Sequence, residues 1–128
     1  MFPKNEISPS SEDYLEMMYN LYLKNGVIRT TDIASELSVS KPSVNRAINM
    51  LKVQELVEHE LYSEIVLTEK GLALAKKVLH RHLLIKSFLS DILGVEDEVA
   101  EREACQMEHF MSESTISRLG EYVRKVLK

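Results

Sequence analysis

The chain has 128 residues, of which 45% are hydrophobic and 28% charged, which is typical of one globular domain or two small ones. Its single cysteine excludes an internal disulfide, and no apolar run is long enough to span a bilayer. We therefore expect a soluble cytoplasmic protein with no membrane partner. The formal net charge of −4 argues mildly against nucleic acid, but residues 29–52 contain four basic and only two acidic side chains.

The amino-terminal part of the chain predicts three helices. The first follows the candidate caps Ser10 and Ser11 and carries an apolar stripe until the Asn-Gly pair at 25–26 ends it. The second begins at a threonine cap in "RTTDIASELS". After a short break the third begins at Ser40, with Pro42 in its first turn.

The stretch at residues 56–67 has a different pattern, because two short β-prone runs flank a polar middle, which predicts a small hairpin. Thr68 then caps a long helix that ends at Gly94. A helix with an acidic first turn follows, and a last helix is capped by Ser112 or Ser114.

Two short helices with a tight break, followed by a hairpin, are typical of a winged helix-turn-helix. The helices after the hairpin carry more apolar surface than one short pair can bury, which favours a homodimer. We therefore predict a mainly α fold, with a winged helix-turn-helix DNA-binding domain in residues 1–72. An all-helical dimerisation domain is predicted in residues 73–128.

The third helix is the candidate recognition helix, since the second helix of such a motif enters the major groove with its N-terminal residues at the base edges. Arg46 suits guanine or a phosphate, and Arg29 and Lys52 suit the DNA backbone. The residues predicted to contact DNA are Arg29, Thr31, Ser40, Lys41, Pro42, Ser43, Asn45, Arg46 and Lys52. An ordinary amphipathic helix, or a winged helix that binds protein, has the same spacing, so the pattern alone leaves these alternatives open.

The segment "EACQMEHFMS" contains Cys105, Glu108 and His109, which share one face if the segment is helical. Thiolate, carboxylate and imidazole together suit a first-row transition metal. A lone helical cysteine is more often a small core residue. A catalytic role is disfavoured, because no glycine-rich elbow accompanies the cysteine and the chain has little room for a substrate cleft. We therefore do not expect an enzyme.

Five segments, taken in order, resemble the DtxR/MntR family of metal-dependent transcriptional repressors from about residue 10 onward. They are "SSEDYLEMMYNL", "TTDIASELSVSKPSVNRAINML", "IVLTEKG", "HRHLLIKSFLSDILGV" and "EACQMEHFMS". The resemblance implies a homodimer that binds operator DNA, with Mn²⁺ or Fe²⁺ as co-repressor, and that regulates metal-uptake or homeostasis genes. The metal ligands that it implies are Asp13, Glu16, His82, Cys105, Glu108 and His109.

Several positions depart from the family pattern. The Asp13/Glu16 pair is similar to the manganese-sensing branch and Cys105 to the iron-sensing branch, so both metals stay open. Lys86 stands where the family often has an acidic ligand, and Glu101 stands where iron sensors have histidine. An accessory metal site is therefore not expected, and Lys86 is available to pair with a nearby carboxylate instead.

The acidic wing and the end of the chain depart from the family as well. Ser63 and Glu64 replace the basic or glycine residues common at the tip of the wing, so we expect little phosphate binding there. Longer relatives add an SH3-like domain, which this short form is expected to lack. Two rival functions stay open: a metal-independent winged-helix regulator and a thiol-based redox sensor that uses Cys105.

Overall fold

The computed structural model describes residues 8–60 and 63–128, and these residues divide into two compact units, the first ending at Lys76 and the second beginning at Lys77. The predicted mainly α fold is confirmed. The helices are α1 (Pro9–Asn25), α2 (Thr30–Leu37), α3 (Lys41–Val53), α4 (Glu69–Ser87), α5 (Asp97–Met107) and α6 (Glu113–Val126). The strands are β1 (Val57–Glu58) and β2 (Val66–Leu67).

In the first unit, α1, α2 and α3 pack around one apolar core. Their shared buried residues are Leu15, Met18, Ile33, Val44, Ile48 and Leu51. These positions recur at helical spacing, so each helix buries one stripe and leaves its polar face in water. Ser38 ends α2 in a left-handed conformation (φ 54°), and α3 begins three residues later. The predicted helix-turn-helix is therefore present.

The cap of α3 is confirmed, but the caps of the first two helices are not the predicted ones. Ser40 Oγ accepts the backbone N–H of Ser43 at 3.2 Å, as expected. In α1, Ser8 rather than Ser10 or Ser11 is the N-cap, because the proline that follows Ser8 suits the first helical position, where no N–H is needed.

The predicted threonine cap of α2 is wrong, because Arg29 is the N-cap and Thr30 is already helical. The reason is tertiary. Ile28 forms a β-bridge with Ile65, which keeps the chain extended through Arg29, where φ is −120° and ψ is 143°. The helix therefore begins where the bridge ends.

The predicted hairpin is confirmed, and it forms the wing. β1 and β2 are antiparallel, with Val57 opposite Leu67 and Glu58 opposite Val66. Residues 61–62, in the polar middle of the hairpin, lie outside the described residues. Thr68 Oγ1 accepts the N–H of Gly71 at 3.0 Å, which confirms its predicted cap role.

Gly71 packs directly against the backbone at the start of the wing. A Cβ atom at this position would lie 1.9 Å from the carbonyl oxygen of Leu56. That oxygen also accepts the backbone N–H of Thr68 at 3.1 Å. The close approach of α4 to the wing therefore depends on a residue without a side chain.

In the second unit, a π-helical turn (Phe88–Ile92) follows α4 and interrupts the single long helix that the sequence predicts. The predicted end is confirmed, since Gly94 has a φ of 76°. The buried core of this unit is formed by Ile85, Leu89, Ala100, Ala104 and Ile116. The small side chains at Ala100 and Ala104 face this core along one side of α5. The predicted Ser112 cap of α6 is confirmed.

Candidate metal centre

Four of the six residues implied as metal ligands lie in the second unit. His82 is on α4, Cys105 is on α5, and Glu108 and His109 follow α5 directly. One donor atom each from Cys105, Glu108 and His109 lies within 4.8 Å of the others. Sulfur, oxygen and nitrogen donors at this separation are close enough to bind one divalent ion after small side-chain adjustments.

The sequence pattern suggests that residues 105–109 are helical throughout, but the helix ends within this segment. α5 ends at Met107, and Glu108 is its C-cap, with helical φ and ψ of −60° and −26°. Cys105 and Glu108 therefore keep the spacing of a helix face. Just beyond the helix end, Arg81 Nη1 donates to the carbonyl oxygens of Glu108 and Met111, both at 3.2 Å.

Glu108 is the most unusual side chain of this cluster. It is a carboxylate that is 1% exposed. Its Oε2 lies 3.0 Å from His82 Nδ1, whereas its Oε1 has no hydrogen-bond partner in the described part of the chain. His109 Nε2 is 3.6 Å from Oε1, too far for a hydrogen bond.

A buried polar atom without a partner costs about 1–3 kcal/mol, and more when it is charged. Glu108 Oε1 therefore favours an additional cationic partner in the folded protein. The surrounding thiol and imidazole groups are donors for a transition-metal ion rather than for an alkali or alkaline-earth ion. The residues present fit a divalent transition metal.

His82 connects Glu108 to two further charged residues. Its Nε2 lies 2.8 Å from Glu101 Oε1, and Glu101 Oε2 lies 3.2 Å from Lys86 Nζ. Partial burial raises the pKa of Glu101, but the hydrogen bond from Lys86 and the charge of His82 outweigh it and hold that pKa below its usual range. The expectation that Lys86 pairs with a nearby carboxylate is confirmed.

The other two implied ligands, Asp13 and Glu16, lie in the first unit. They stand one turn apart on α1, and both are half-buried. The neighbouring Leu15 and Met18 are fully buried in the core that α1 shares with α2 and α3. The backbone of α1 that carries both carboxylates is thus tied to the helix-turn-helix.

The residues predicted to contact DNA lie on α2, on α3 and beside their first residues. All nine are exposed except Ser43, which is partly buried. On α3 these residues are outside the buried stripe of Val44, Ile48 and Leu51. Arg46 Nη2 donates to Ser43 Oγ at 3.1 Å, so the guanidinium is held near the N-terminal turn of α3.

The wing presents an acidic surface instead. Glu58, Glu60 and Glu64 are exposed around β1 and β2. Ser63 Oγ donates to the carbonyl oxygen of Glu60 at 2.7 Å.

Within residues 8–60 and 63–128, none of the helices has both the length and the apolar character needed to cross a bilayer.

The chain matches two domain models over almost its whole length. Residues 6–65 match the N-terminal DNA binding domain of the iron dependent repressor, and residues 68–127 match its metal binding and dimerisation domain. An uncharacterized HTH-type transcriptional regulator of Methanocaldococcus jannaschii is 40% identical over 121 residues, which are 93% of this chain and 96% of that protein. The HTH-type transcriptional regulator MntR of Listeria monocytogenes is 38% identical, over 91% of this chain and 82% of that protein.

Solved structures of metal-dependent regulators are similar to this chain as well. The manganese regulator SloR superimposes with a TM-score of 0.81 at 31% identity, covering 92% of this chain and 55% of that chain. The IdeR of T. acidophilum has a TM-score of 0.77 at 31% identity, covering 91% and 54%. This chain thus spans about half the length of these solved structures. From the matched domains and the nearly full-length relatives, we conclude that the chain belongs to the DtxR/MntR family of iron-dependent repressors.

Proposed function

We propose that this protein is a transcriptional repressor whose DNA binding requires a divalent metal ion, Mn²⁺ or Fe²⁺, and that it regulates metal-uptake or homeostasis genes in the cytoplasm. The observation that carries the proposal is the buried Glu108 carboxylate beside Cys105 and His109, one oxygen of which has no hydrogen-bond partner among the described residues. Relatives named as manganese regulators, and a relative solved with manganese, support the choice of metal.

The proposed ligand set draws on both units. The second unit supplies four residues and α1 supplies two, and the full set is Asp13, Glu16, His82, Cys105, Glu108 and His109. A bound divalent ion supplies positive charge to these carboxylates. The two α1 carboxylates are hard oxygen donors that suit Mn²⁺, whereas the thiolate of Cys105 is softer and suits Fe²⁺.

In this proposal, metal binding acts on DNA recognition through α1. Leu15 and Met18 of α1 share a core with Val44 and Ile48 of α3, so fixing α1 also fixes the recognition helix. The ion shifts the protein toward its DNA-binding state only as far as it binds that state more tightly. A tenfold gain in DNA affinity requires about 1.4 kcal/mol of coupling, which is modest for a metal site.

The proposed partners are operator DNA and a second copy of the chain. The nine predicted residues of α2 and α3 and their flanks contact the DNA, and the acidic wing contributes little to phosphate binding. The second unit exposes large apolar side chains, which suit burial in a homodimer. They include Leu83, Phe110, Tyr122, Val126 and Leu127. A dimer presents two recognition helices to two half-sites.

The proposal is tested by selecting binding sequences from random duplex DNA under anaerobic conditions. Parallel selections are made with Mn²⁺, with Fe²⁺ and without metal. We expect enrichment only with metal, and at least about tenfold tighter binding of the selected duplex, a coupling of about 1.4 kcal/mol. Binding would be measured by fluorescence anisotropy, with Arg46→Ala as the control. This variant should bind Mn²⁺ normally but lose DNA affinity and part of its salt dependence.

The same assay separates the rival functions. Equal DNA affinity with and without every divalent metal would leave a metal-independent regulator. Loss of DNA binding on peroxide treatment of the metal-free protein would instead support a redox sensor acting through Cys105.

Replacing Cys105 tests the choice of metal. Cys105→Glu exchanges a soft sulfur donor for a hard oxygen donor, so we expect the ratio of Mn²⁺ to Fe²⁺ affinity to rise by about tenfold, or about 1.4 kcal/mol. Isothermal titration of both ions under anaerobic conditions measures this ratio. Gln106→Glu is the matched control, because it adds the same charge at an exposed neighbouring position of α5 and should leave the ratio unchanged. An unchanged ratio in Cys105→Glu would mean that residue 105 does not bind the metal.

A further inference from the structure

Two residues outside the proposed ligand set hold the imidazole of His82 from the side opposite Glu108. Glu101 Oε1 lies 2.8 Å from His82 Nε2, and Lys86 Nζ lies 3.2 Å from the other oxygen of Glu101. Both contacts lie within the second unit and connect α4 with α5. The His82 side chain is 6% exposed, so its ring is enclosed by protein, while Glu101 reaches it from the surface.

The two nitrogens of an imidazole ring serve different partners, and the hydrogen bond at one nitrogen decides what the other can do. A carboxylate at Nε2 accepts the Nε2–H, so Nδ1 is the nitrogen that remains for partners on the other side of the ring. In this protein Nδ1 lies 3.0 Å from Glu108 Oε2, at hydrogen-bond distance. The contact with Glu101 therefore keeps Nδ1 turned toward the buried carboxylate of the proposed metal site.

Lys86 determines which oxygen of Glu101 is available to His82. Its ammonium group lies at hydrogen-bond distance from Oε2, so Oε1 remains for the imidazole. Glu101 is more than half exposed, and an exposed glutamate alone would sample several rotamers. The ion pair with Lys86 favours the rotamer that reaches the ring.

We propose that Glu101, anchored by Lys86, is a positioning residue that accepts the Nε2–H of His82 and keeps Nδ1 directed at Glu108 and the metal. This inference rests on the proposed function, since positioning matters only if an ion binds there. A carboxylate bonded to a histidine ligand also makes that ligand more basic, and removing such a partner typically lowers metal affinity by about 10- to 100-fold. In this proposal Glu101 and Lys86 orient a metal ligand and do not bind the metal themselves.

Three variants of the full-length chain separate positioning from charge. Glu101→Ala removes both the acceptor and the charge, Glu101→Gln keeps an oxygen acceptor without the charge, and Glu103→Ala removes the same charge from an exposed position of α5. We expect Mn²⁺ affinity, measured by isothermal titration, to fall about 10- to 100-fold in Glu101→Ala. Glu101→Gln keeps one oxygen acceptor but loses the ion pair with Lys86, so its loss should be clearly smaller than that of Glu101→Ala. Glu103→Ala should stay within about threefold of the original protein.

A second measurement does not depend on metal binding. In the metal-free protein with ¹⁵N-labelled histidine, long-range ¹H–¹⁵N spectra should show a slowly exchanging Nε2–H on His82. That signal should persist in Glu101→Gln and Glu103→Ala and disappear in Glu101→Ala. Thermal unfolding of the metal-free variants shows whether any loss of affinity merely follows a loss of fold.

The outcomes are distinguishable. If Glu101→Gln binds Mn²⁺ as weakly as Glu101→Ala, the effect is one of charge and the positioning role is wrong. A folded Glu101→Ala variant that loses the Nε2–H signal but binds Mn²⁺ normally would also overturn it. If Mn²⁺ binding depends on Glu101 as expected while DNA binding ignores the metal, the positioning role stands and the repressor mechanism fails.

Discussion

Glu108→Gln should abolish metal binding while leaving the metal-free protein folded. The substitution keeps the size of the side chain but removes the negative charge from a residue that is 1% exposed. One oxygen of this residue has no hydrogen-bond partner in the part of the chain that the structure describes. A neutral amide is a poor ligand for Mn²⁺ or Fe²⁺, so we expect affinity to fall by more than about 100-fold, beyond the usual effect of a supporting residue. Metal-dependent DNA binding should be lost with it.

Thermal unfolding measures this loss without DNA. At a metal concentration of about 100 times Kd, a bound ion stabilises the original protein by about 2.7 kcal/mol, which raises Tm by roughly 10 °C. Glu108→Gln should show no such rise, and its metal-free Tm should stay close to that of the original protein. Glu103→Gln, an exposed change of the same chemistry on α5, should keep the full rise. A metal-induced rise that survives in Glu108→Gln would mean that the ion binds elsewhere.

Gly71→Ala should destabilise the first unit strongly. Glycine-to-alanine changes within helices usually stabilise a protein by about 0.5–1 kcal/mol. Here the added Cβ would lie 1.9 Å from the carbonyl oxygen of Leu56, and a backbone atom cannot rotate away. The start of α4 must move off the wing, so we expect a loss of about 3 kcal/mol, at the upper end for overpacking.

Gly120→Ala is the matched comparison. Gly120 is also a buried helical glycine, but its added Cβ would approach Arg124 Nη1 at 3.2 Å, the flexible end of a long side chain. We expect its free energy of unfolding to stay within about 1 kcal/mol of the original value. Urea unfolding monitored by circular dichroism measures both variants. Equal stability of Gly71→Ala and Gly120→Ala would contradict the close packing of α4 on the wing.

The periodic parts of the sequence predict most of the fold. The apolar stripes of α1, α3 and α6 identify the helices, and the short β-prone runs at residues 56–57 and 65–67 identify the wing. Capping side chains are predictable where the chain has one candidate, as at Ser40 and Thr68. Caps are not predictable where a tertiary contact determines the first residue of the helix. The bridge between Ile28 and Ile65 determines it for α2.

The candidate site is predictable in part for a similar reason. The spacing of Cys105 and Glu108 survives because Glu108 keeps helical φ and ψ beyond the end of α5. The pairing of Lys86 with a carboxylate follows from unlike charges at positions where relatives have ligands. The end of α5 at Met107, the π-helical turn at Phe88–Ile92 and the role of Arg81 depend on contacts between distant residues, and no local pattern marks them.

Arg81 has a consequence for how an ion is captured. By bonding to the carbonyl oxygens of Glu108 and Met111, it holds the turn after α5 in place through contacts that need no metal. The entropy lost in ordering this turn is therefore met during folding rather than during binding. A pre-organised turn therefore raises the affinity of the site for the ion, so that a lower metal concentration is enough to occupy it.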